Sequence, residues 1–125
     1  MSTTTAEVKA LDAIIRTLQK FSQFDTKMQV SMILTLLEIA RSEVLGDEIS
    51  TLDIEKKVGL LSGTATRNIY YWAGGHQDVR GGHEMINVGL DLQDRRKRTL
   101  RLTPKGKAFI NSIIGGIPHG ETTRH

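Results

Sequence analysis

The side chains best suited to chemistry lie in the second half of the chain, and most of them are hydrogen-bond donors. A basic run occupies Arg95–Arg98, and a segment rich in hydroxyl and amide groups occupies Ser62–Tyr71. Such groups donate to phosphate oxygens and to base edges, where Arg favours guanine and Asn favours adenine. The two segments therefore predict contact with a nucleic acid, although a charge run can also be a solvated surface.

Other chemistries find no support in the residue pattern. The absence of cysteine excludes disulfides, thiolate metal sites and thiol redox switches. No histidine forms a His-x3-His pair on a helix, so we expect no metal site. The Gly-Gly pairs lack the Lys-Ser/Thr ending of a P-loop, and no Ser/His/Asp grouping is visible. We therefore expect neither an enzyme nor a cofactor.

The charge of the chain is unevenly distributed. The net charge is only +3, but residues 61–125 carry ten basic and five acidic side chains, against seven and nine in residues 1–60. Within Arg95–Lys107, seven residues are basic and none is acidic. A one-sided field of this kind favours a polyanionic partner.

The length of 125 residues suits one domain, predicted over residues 1–114 with a flexible tail at 115–125. No apolar run approaches the roughly 18 residues of a membrane span. The first residues lack the charged and apolar regions of a secretory signal. We therefore expect a cytoplasmic protein, in a bacterial cell or a phage-infected host, without a membrane partner.

Two helices precede the polar segment. The first is predicted over about Thr5–Phe21. It carries an apolar stripe at helical spacing, formed by Val8, Leu11, Ile15 and Leu18 and widened by Ile14 and Phe21. The second runs from Met28 to about Val44 and is apolar on two faces, which is typical of a central core helix. Thr26 and Gln29 have the spacing of a capping box at its start.

A helix-turn-helix is predicted over residues 51–73. An extended link at Glu48–Thr51 leads into a short helix that ends at Gly59, with Ser50 or Thr51 as the N-cap. Ser62 is then predicted to cap a second helix that continues to about Ala73. Three apolar residues share its inner face: Ala65, Ile69 and Trp72. Two short helices joined by a tight turn containing Gly have the form of a helix-turn-helix.

A β-hairpin follows over residues 85–103, because the apolar period changes from 3.6 to 2. Two alternating runs, from Ile86 to Leu92 and from Thr99 to Leu102, flank a charged connection at Gln93–Lys97. Thr103-Pro104 then predicts the start of a last helix, which continues to about Ile114. The predicted fold class is mainly α with a small β-hairpin wing (α+β), in the element order of a winged helix-turn-helix.

The wing sequence resembles that of MarR-type transcriptional regulators, whose wing commonly reads D-x-R-D-x-R and is followed by L-T-x-K-G. The matching residues are in register without insertion: Asp91, Asp94, Arg96, Leu102, Thr103, Lys105 and Gly106. Gly59-Leu60 and Thr64-Ala-Thr66-Arg67 similarly resemble the turn and the recognition helix. The similarity covers roughly residues 28–110, and the wing is its most specific part.

The resemblance implies a sequence-specific transcriptional regulator of double-stranded DNA, in the form of a homodimeric repressor. The first helix, within residues 1–24, and the last helix, at residues 104–114, would form the dimer. The expected recognition-helix contacts are Ser62, Thr64, Thr66, Arg67, Asn68 and Tyr71. The expected wing contacts are Arg95, Arg96, Lys97 and Arg98, with Asp94 as a brace that orients Arg96. A two-fold dimer places its recognition helices about 34 Å apart, which predicts a palindromic operator.

Three features depart from the family pattern. Gln93 stands where the first wing Arg is usual, the Gly74–Glu84 loop is longer, and the final helix stops near Ile114. Because the final helix is short, part of the usual wall of a ligand pocket is missing. We therefore expect the protein to bind DNA constitutively, without control by a small-molecule ligand. The alternative function is a winged-helix interaction module that binds a host or transcription factor, and retardation of random duplex DNA separates the two.

Overall fold

The computed structural model describes residues 2–74, 82–89 and 98–117, except for the side chains of residues 2–4. The described chain is mainly helical with one two-stranded antiparallel sheet, as predicted. The elements are α1 (Ser2–Ser22), α2 (Val30–Leu45), α3 (Thr51–Val58), α4 (Ser62–Trp72), β1 (Ile86–Val88), β2 (Leu100–Leu102) and α5 (Pro104–Ile114). They divide into two compact units, one of residues 2–28 with 109–117 and one of the described residues between 29 and 108.

The first unit is built on α1, which begins three residues before its predicted start. Ala13 and Phe21 are buried on one side of this helix. The rings of Phe21 and Phe24 each meet the ring of Phe109 edge-on, with centroids 5.2 Å apart. Phe21 is therefore the buried member of the predicted apolar stripe. The other five members each keep about half of their surface exposed: Val8, Leu11, Ile14, Ile15 and Leu18.

The second unit is centred on α2, as its two apolar faces predict. Leu36 and Ile39 are completely buried. The predicted Thr26–Gln29 capping box is wrong, because Gln29 precedes α2 in an extended conformation and makes no side-chain cap. Asp25 instead stabilises the turn between α1 and α2, because its carboxylate accepts from the Lys27 amide at 2.9 Å.

The helix-turn-helix begins with a complete capping box at α3. The Ser50 hydroxyl accepts from the Asp53 amide at 3.2 Å, and the Ser50 amide donates to the Asp53 carboxylate at 2.9 Å. Of the two predicted caps, Ser50 is therefore the one used. Gly59 ends α3 with φ of +81°, as predicted from the left-handed conformation that glycine tolerates.

The start of α4 differs from the prediction by one residue. Ser62 is the first helical residue rather than the cap, and the cap position is held by the extended Leu61 without a side-chain bond. The first intrahelical hydrogen bond runs from the Ala65 amide to the Leu61 carbonyl, at 2.9 Å. Ser62 is therefore already inside the helix.

The hairpin pairs β1 with β2, with Ile86 opposite Leu102 and Val88 opposite Leu100. The Ile49 carbonyl accepts from the Leu100 amide at 2.9 Å, and the predicted extended link meets the start of β2 through a single antiparallel bridge, with Ser50 opposite Thr99. The predicted connection at 93–97 lies outside the described residues. The strands therefore define the root of the wing.

The last helix begins as predicted at Thr103-Pro104. The Thr103 hydroxyl accepts from the Gly106 amide at 3.0 Å and donates to the Glu84 carbonyl at 2.6 Å. The helix ends at Ile114, before Gly115. Of the predicted tail, residues 118–125 lie outside the described part of the chain. Among the described helices, none has the length and apolar character needed to cross a bilayer.

Candidate nucleic-acid interface

Helix α4 is held in one rotational position by a buried row of residues. Ala65, Ile69 and Trp72 are buried as predicted, and the Trp72 indole donates to the Met32 carbonyl at 2.7 Å. Since these residues are spaced by four and three, they fix one side of the helix against the core. Four of the predicted contact residues are exposed: Ser62, Thr64, Thr66 and Arg67.

Asn68 is misplaced in the sequence-based interpretation. Its side chain is only 1% exposed, and its amide group donates to the Ser31 hydroxyl at 3.3 Å and to the Thr35 hydroxyl at 3.5 Å. A buried amide requires such partners, because an unsatisfied one carries a desolvation penalty. Asn68 therefore belongs to the polar core between α2 and α4 and not to the exposed face.

Tyr71 lies half-buried near the end of α4. Its ring meets the ring of Trp72 edge-on at 5.1 Å and that of His83 at 4.7 Å. The structure therefore groups Tyr71 with the segment that leads into β1. Burial, followed by the positive charge of Lys105, lowers the pKa of His83, which favours a neutral imidazole.

The wing is joined to α4 at both of its described ends. At the first end, the Met85 amide donates to the Trp72 carbonyl at 2.7 Å. At the second, the guanidinium of Arg98 donates to the Tyr70 hydroxyl at 2.5 Å. Arg98 is half-buried at the root of the wing, and its contact with DNA stays a prediction. The remaining wing residues, Asp94, Arg95, Arg96 and Lys97, lie outside the described residues.

Sequence reasoning missed Tyr70, and no residue spacing marks it. Tyr70 contacts Arg98 because α4 packs close to the start of β2. Local periodicity gives no information about that distance. Two further cations, Arg101 and Lys105, are exposed on β2 and α5. The second unit therefore combines an exposed polar helix with basic side chains on the neighbouring hairpin and helix.

The described residues contain no cluster of side chains that suits a metal ion. Among them, no group of three His, Asp or Glu side chains could hold a metal ion. Of the four histidines, His83 is described, and its ring packs against the rings of Tyr71 and Trp72.

Comparison with solved structures identifies the fold. A mutant of MepR from Staphylococcus aureus matches with a TM-score of 0.64 at 17% identity, over 92% of this chain and 74% of that chain. The fold is that of the MarR-type winged helix regulators. BpsR from Bordetella bronchiseptica, whose DNA binding is regulated by 6-hydroxynicotinic acid, matches with a TM-score of 0.53 at 22% identity, over 84% and 72%. YusO from Bacillus subtilis matches with a TM-score of 0.58 at 14% identity, over 93% and 74%.

No protein-family model and no curated protein matches the sequence. In the MarR-type fold seen here, α3 and α4 are the helix-turn-helix, and β1 and β2 are the stem of the wing. The predicted fold and the predicted resemblance are thereby confirmed at the level of structure.

Proposed function

We propose that the chain is a sequence-specific regulator of transcription that binds double-stranded DNA and acts as a homodimeric repressor. The observation that carries the proposal is the exposed surface of α4. Thr64, Thr66 and Arg67 are exposed there, while the opposite side of the helix is buried against the core. A rigid helix that presents a guanidinium and hydroxyl groups matches the donor and acceptor pattern of the major groove.

The wing supplies the second part of the proposed DNA interface. Arg95, Arg96 and Lys97 follow a hairpin stem that is fixed to α4 at its root. Their positive charges suit them to neutralise DNA phosphates, and such contacts strengthen binding to every sequence. Asp94 is proposed to orient Arg96, since phosphate would repel its carboxylate.

The first unit is proposed to form the dimer. Five members of the apolar stripe on α1 stay about half exposed in the single chain. A groove of about 490 Å³ also runs along α1, lined mainly by small and apolar residues: Ala6, Ala10, Ala13, Ile14, Leu18 and Ile117. A second copy of the same chain covers such a surface with an identical stripe, as two-fold interfaces require. The operator would then be an imperfect palindrome with half-sites about 34 Å apart.

Selection from a random pool of duplexes, followed by binding measurements over a range of salt concentrations, tests the proposal. We expect a palindromic sequence to be enriched and its affinity to fall steeply as salt rises. Replacing Arg95, Arg96 and Lys97 by Ala should weaken binding to all sequences and flatten the salt slope by roughly 0.9 for each phosphate that is no longer neutralised. If the purified dimer retards no duplex at low salt, the alternative of a protein-interaction module replaces the DNA-binding proposal.

A further inference from the structure

The root of the wing is fastened to both helices of the helix-turn-helix through one residue, Arg98. Its carbonyl accepts from the Thr51 amide at 3.2 Å, and Thr51 is the first residue of α3. An amide at a helix start has no partner inside its own helix. The Arg98 backbone therefore supplies a hydrogen bond that α3 requires.

The Arg98 side chain makes the second attachment, to α4. Its Nη1 donates to the Tyr70 hydroxyl at 2.5 Å, and a hydrogen bond from a charged donor is stronger than one between neutral groups. The Nε of Arg98 is enclosed, and within the described ranges it finds no hydrogen-bond partner. Since a half-buried guanidinium loses part of its hydration, the bond to Tyr70 offsets part of that desolvation penalty.

We propose that Tyr70 is a positioning residue for DNA binding, which holds Arg98 and thereby fixes the point at which the basic segment 95–97 joins the wing root. The inference rests on the proposed DNA-binding function. Residues 95–97 precede Arg98 directly, so even a fully extended chain places them within about 11 Å of it. The position of Arg98 relative to α4 therefore limits which phosphates this basic segment can reach. Tyr70 touches no DNA in this arrangement and acts through the wing.

The variant Tyr70→Phe tests this role, because it removes one hydroxyl while keeping the ring and every charge. We expect roughly tenfold weaker binding to the selected duplex, which is the effect of losing a hydrogen bond to a charged group. We also expect a flatter salt slope, by roughly 0.9 for each phosphate that the displaced wing no longer reaches. A residue with a purely structural role would leave the slope unchanged, because no charge has been removed.

A double-mutant cycle shows whether the effect passes through the wing. In a background where Arg95, Arg96 and Lys97 are all Ala, Tyr70→Phe should change affinity by less than about twofold, since the two changes act on one interaction. An equal loss in both backgrounds, or no loss in the wild-type background, overturns the proposal. Arg98→Lys, which keeps the charge but lacks the planar fork, should reproduce the effect of Tyr70→Phe. If Tyr70→Phe fails to fold, Arg98→Lys provides the same test.

Amide hydrogen exchange without DNA separates failure of this inference from failure of the proposed function. The Gly89 and Leu100 amides donate across the wing root, to Thr99 and to Ile49. In Tyr70→Phe they should exchange faster, while the Met85 amide at the other end of the stem keeps its rate. If the wild type binds no duplex, the DNA-binding function fails, and unchanged exchange at Gly89 and Leu100 then overturns the positioning role independently.

Discussion

A Cβ atom on Gly106 would overlap the carbonyl oxygen of Met85. Gly106 lies in the first turn of α5, and the same Met85 carbonyl accepts from the Thr103 amide at 2.9 Å. The glycine therefore lets α5 begin directly against the segment that leads into β1. This close approach gives a physical reason for the glycine in the L-T-x-K-G motif.

Gly106→Ala should destabilise the protein by about 3 kcal/mol, since backbone on both sides of this close approach must move to admit a methyl group. The free energy of unfolding in urea measures this loss. Gly63→Ala is the matched control, because nothing lies within 4 Å of its Cβ position. There we expect a gain of about 0.5–1 kcal/mol from improved helix propensity. Equal losses at both glycines would contradict the proposed overlap.

Periodicity and turn chemistry were sufficient to predict most of the fold. The buried row of α4, the Gly59 stop and the Thr103-Pro104 start are all local features, and each is confirmed. The spacing of Asn68 also places it within the buried row, between Ala65 and Trp72, but its residue type suggested the surface. Its partners lie on α2, and the register of two packed helices cannot be derived from either helix alone.

The interface was harder to predict than the fold for the same reason. The charge run from Arg95 to Arg98 is uniform in sequence, yet Arg98 turns inward because Tyr70 lies beside it. The amphipathic pattern of α1 predicts a helix, and the structure confirms it. Which apolar residues are covered within a single chain depends on the packing of Phe109 and its neighbours, and not on the pattern itself.

Asn68→Ala should change stability rather than DNA sequence preference. Removal of the amide leaves the Ser31 and Thr35 hydroxyls without this donor and opens a small cavity, so we expect a loss of about 1–3 kcal/mol. Urea unfolding measures the loss, and selection from random duplexes measures the preference. A changed preferred base at unchanged stability would return Asn68 to the DNA-contacting set.

Arg67→Ala should weaken binding to the selected duplex by about 1–3 kcal/mol and relax the base preference at one position of each half-site. Binding to random duplex should fall much less. Arg41→Ala is the charge-matched control, because Arg41 is exposed on α2 and pairs with Glu38 at 2.6 Å. If the two variants lose the same affinity for both duplexes, Arg67 contributes only general charge.

Ile15→Glu should shift the protein from dimer to monomer. A carboxylate at the centre of the apolar stripe on α1 would be buried without a partner against the second copy, at a cost of several kcal/mol. Sedimentation equilibrium measures the oligomeric state, and affinity for a single half-site separates a failure to dimerise from a failure to bind DNA. Arg16→Glu alters an exposed polar neighbour and should leave the dimer intact. A monomeric wild type would remove the basis for this prediction.

His83 should make the folded protein less stable as the pH falls below neutrality. Burial first, and the charge of Lys105 second, lower its pKa below the ordinary value of 6.5. The unfolded chain therefore takes up the proton more readily, so the stability associated with neutral His83 is present above about pH 6.5 and is lost as pH falls towards the folded pKa. The melting temperature of the wild type should decline more between about pH 7.5 and 5.5 than that of His83→Gln. Lys105→Gln should reduce this decline without abolishing it, because the burial of His83 remains. Identical pH profiles for the wild type and His83→Gln would show that His83 does not contribute to the pH dependence of stability.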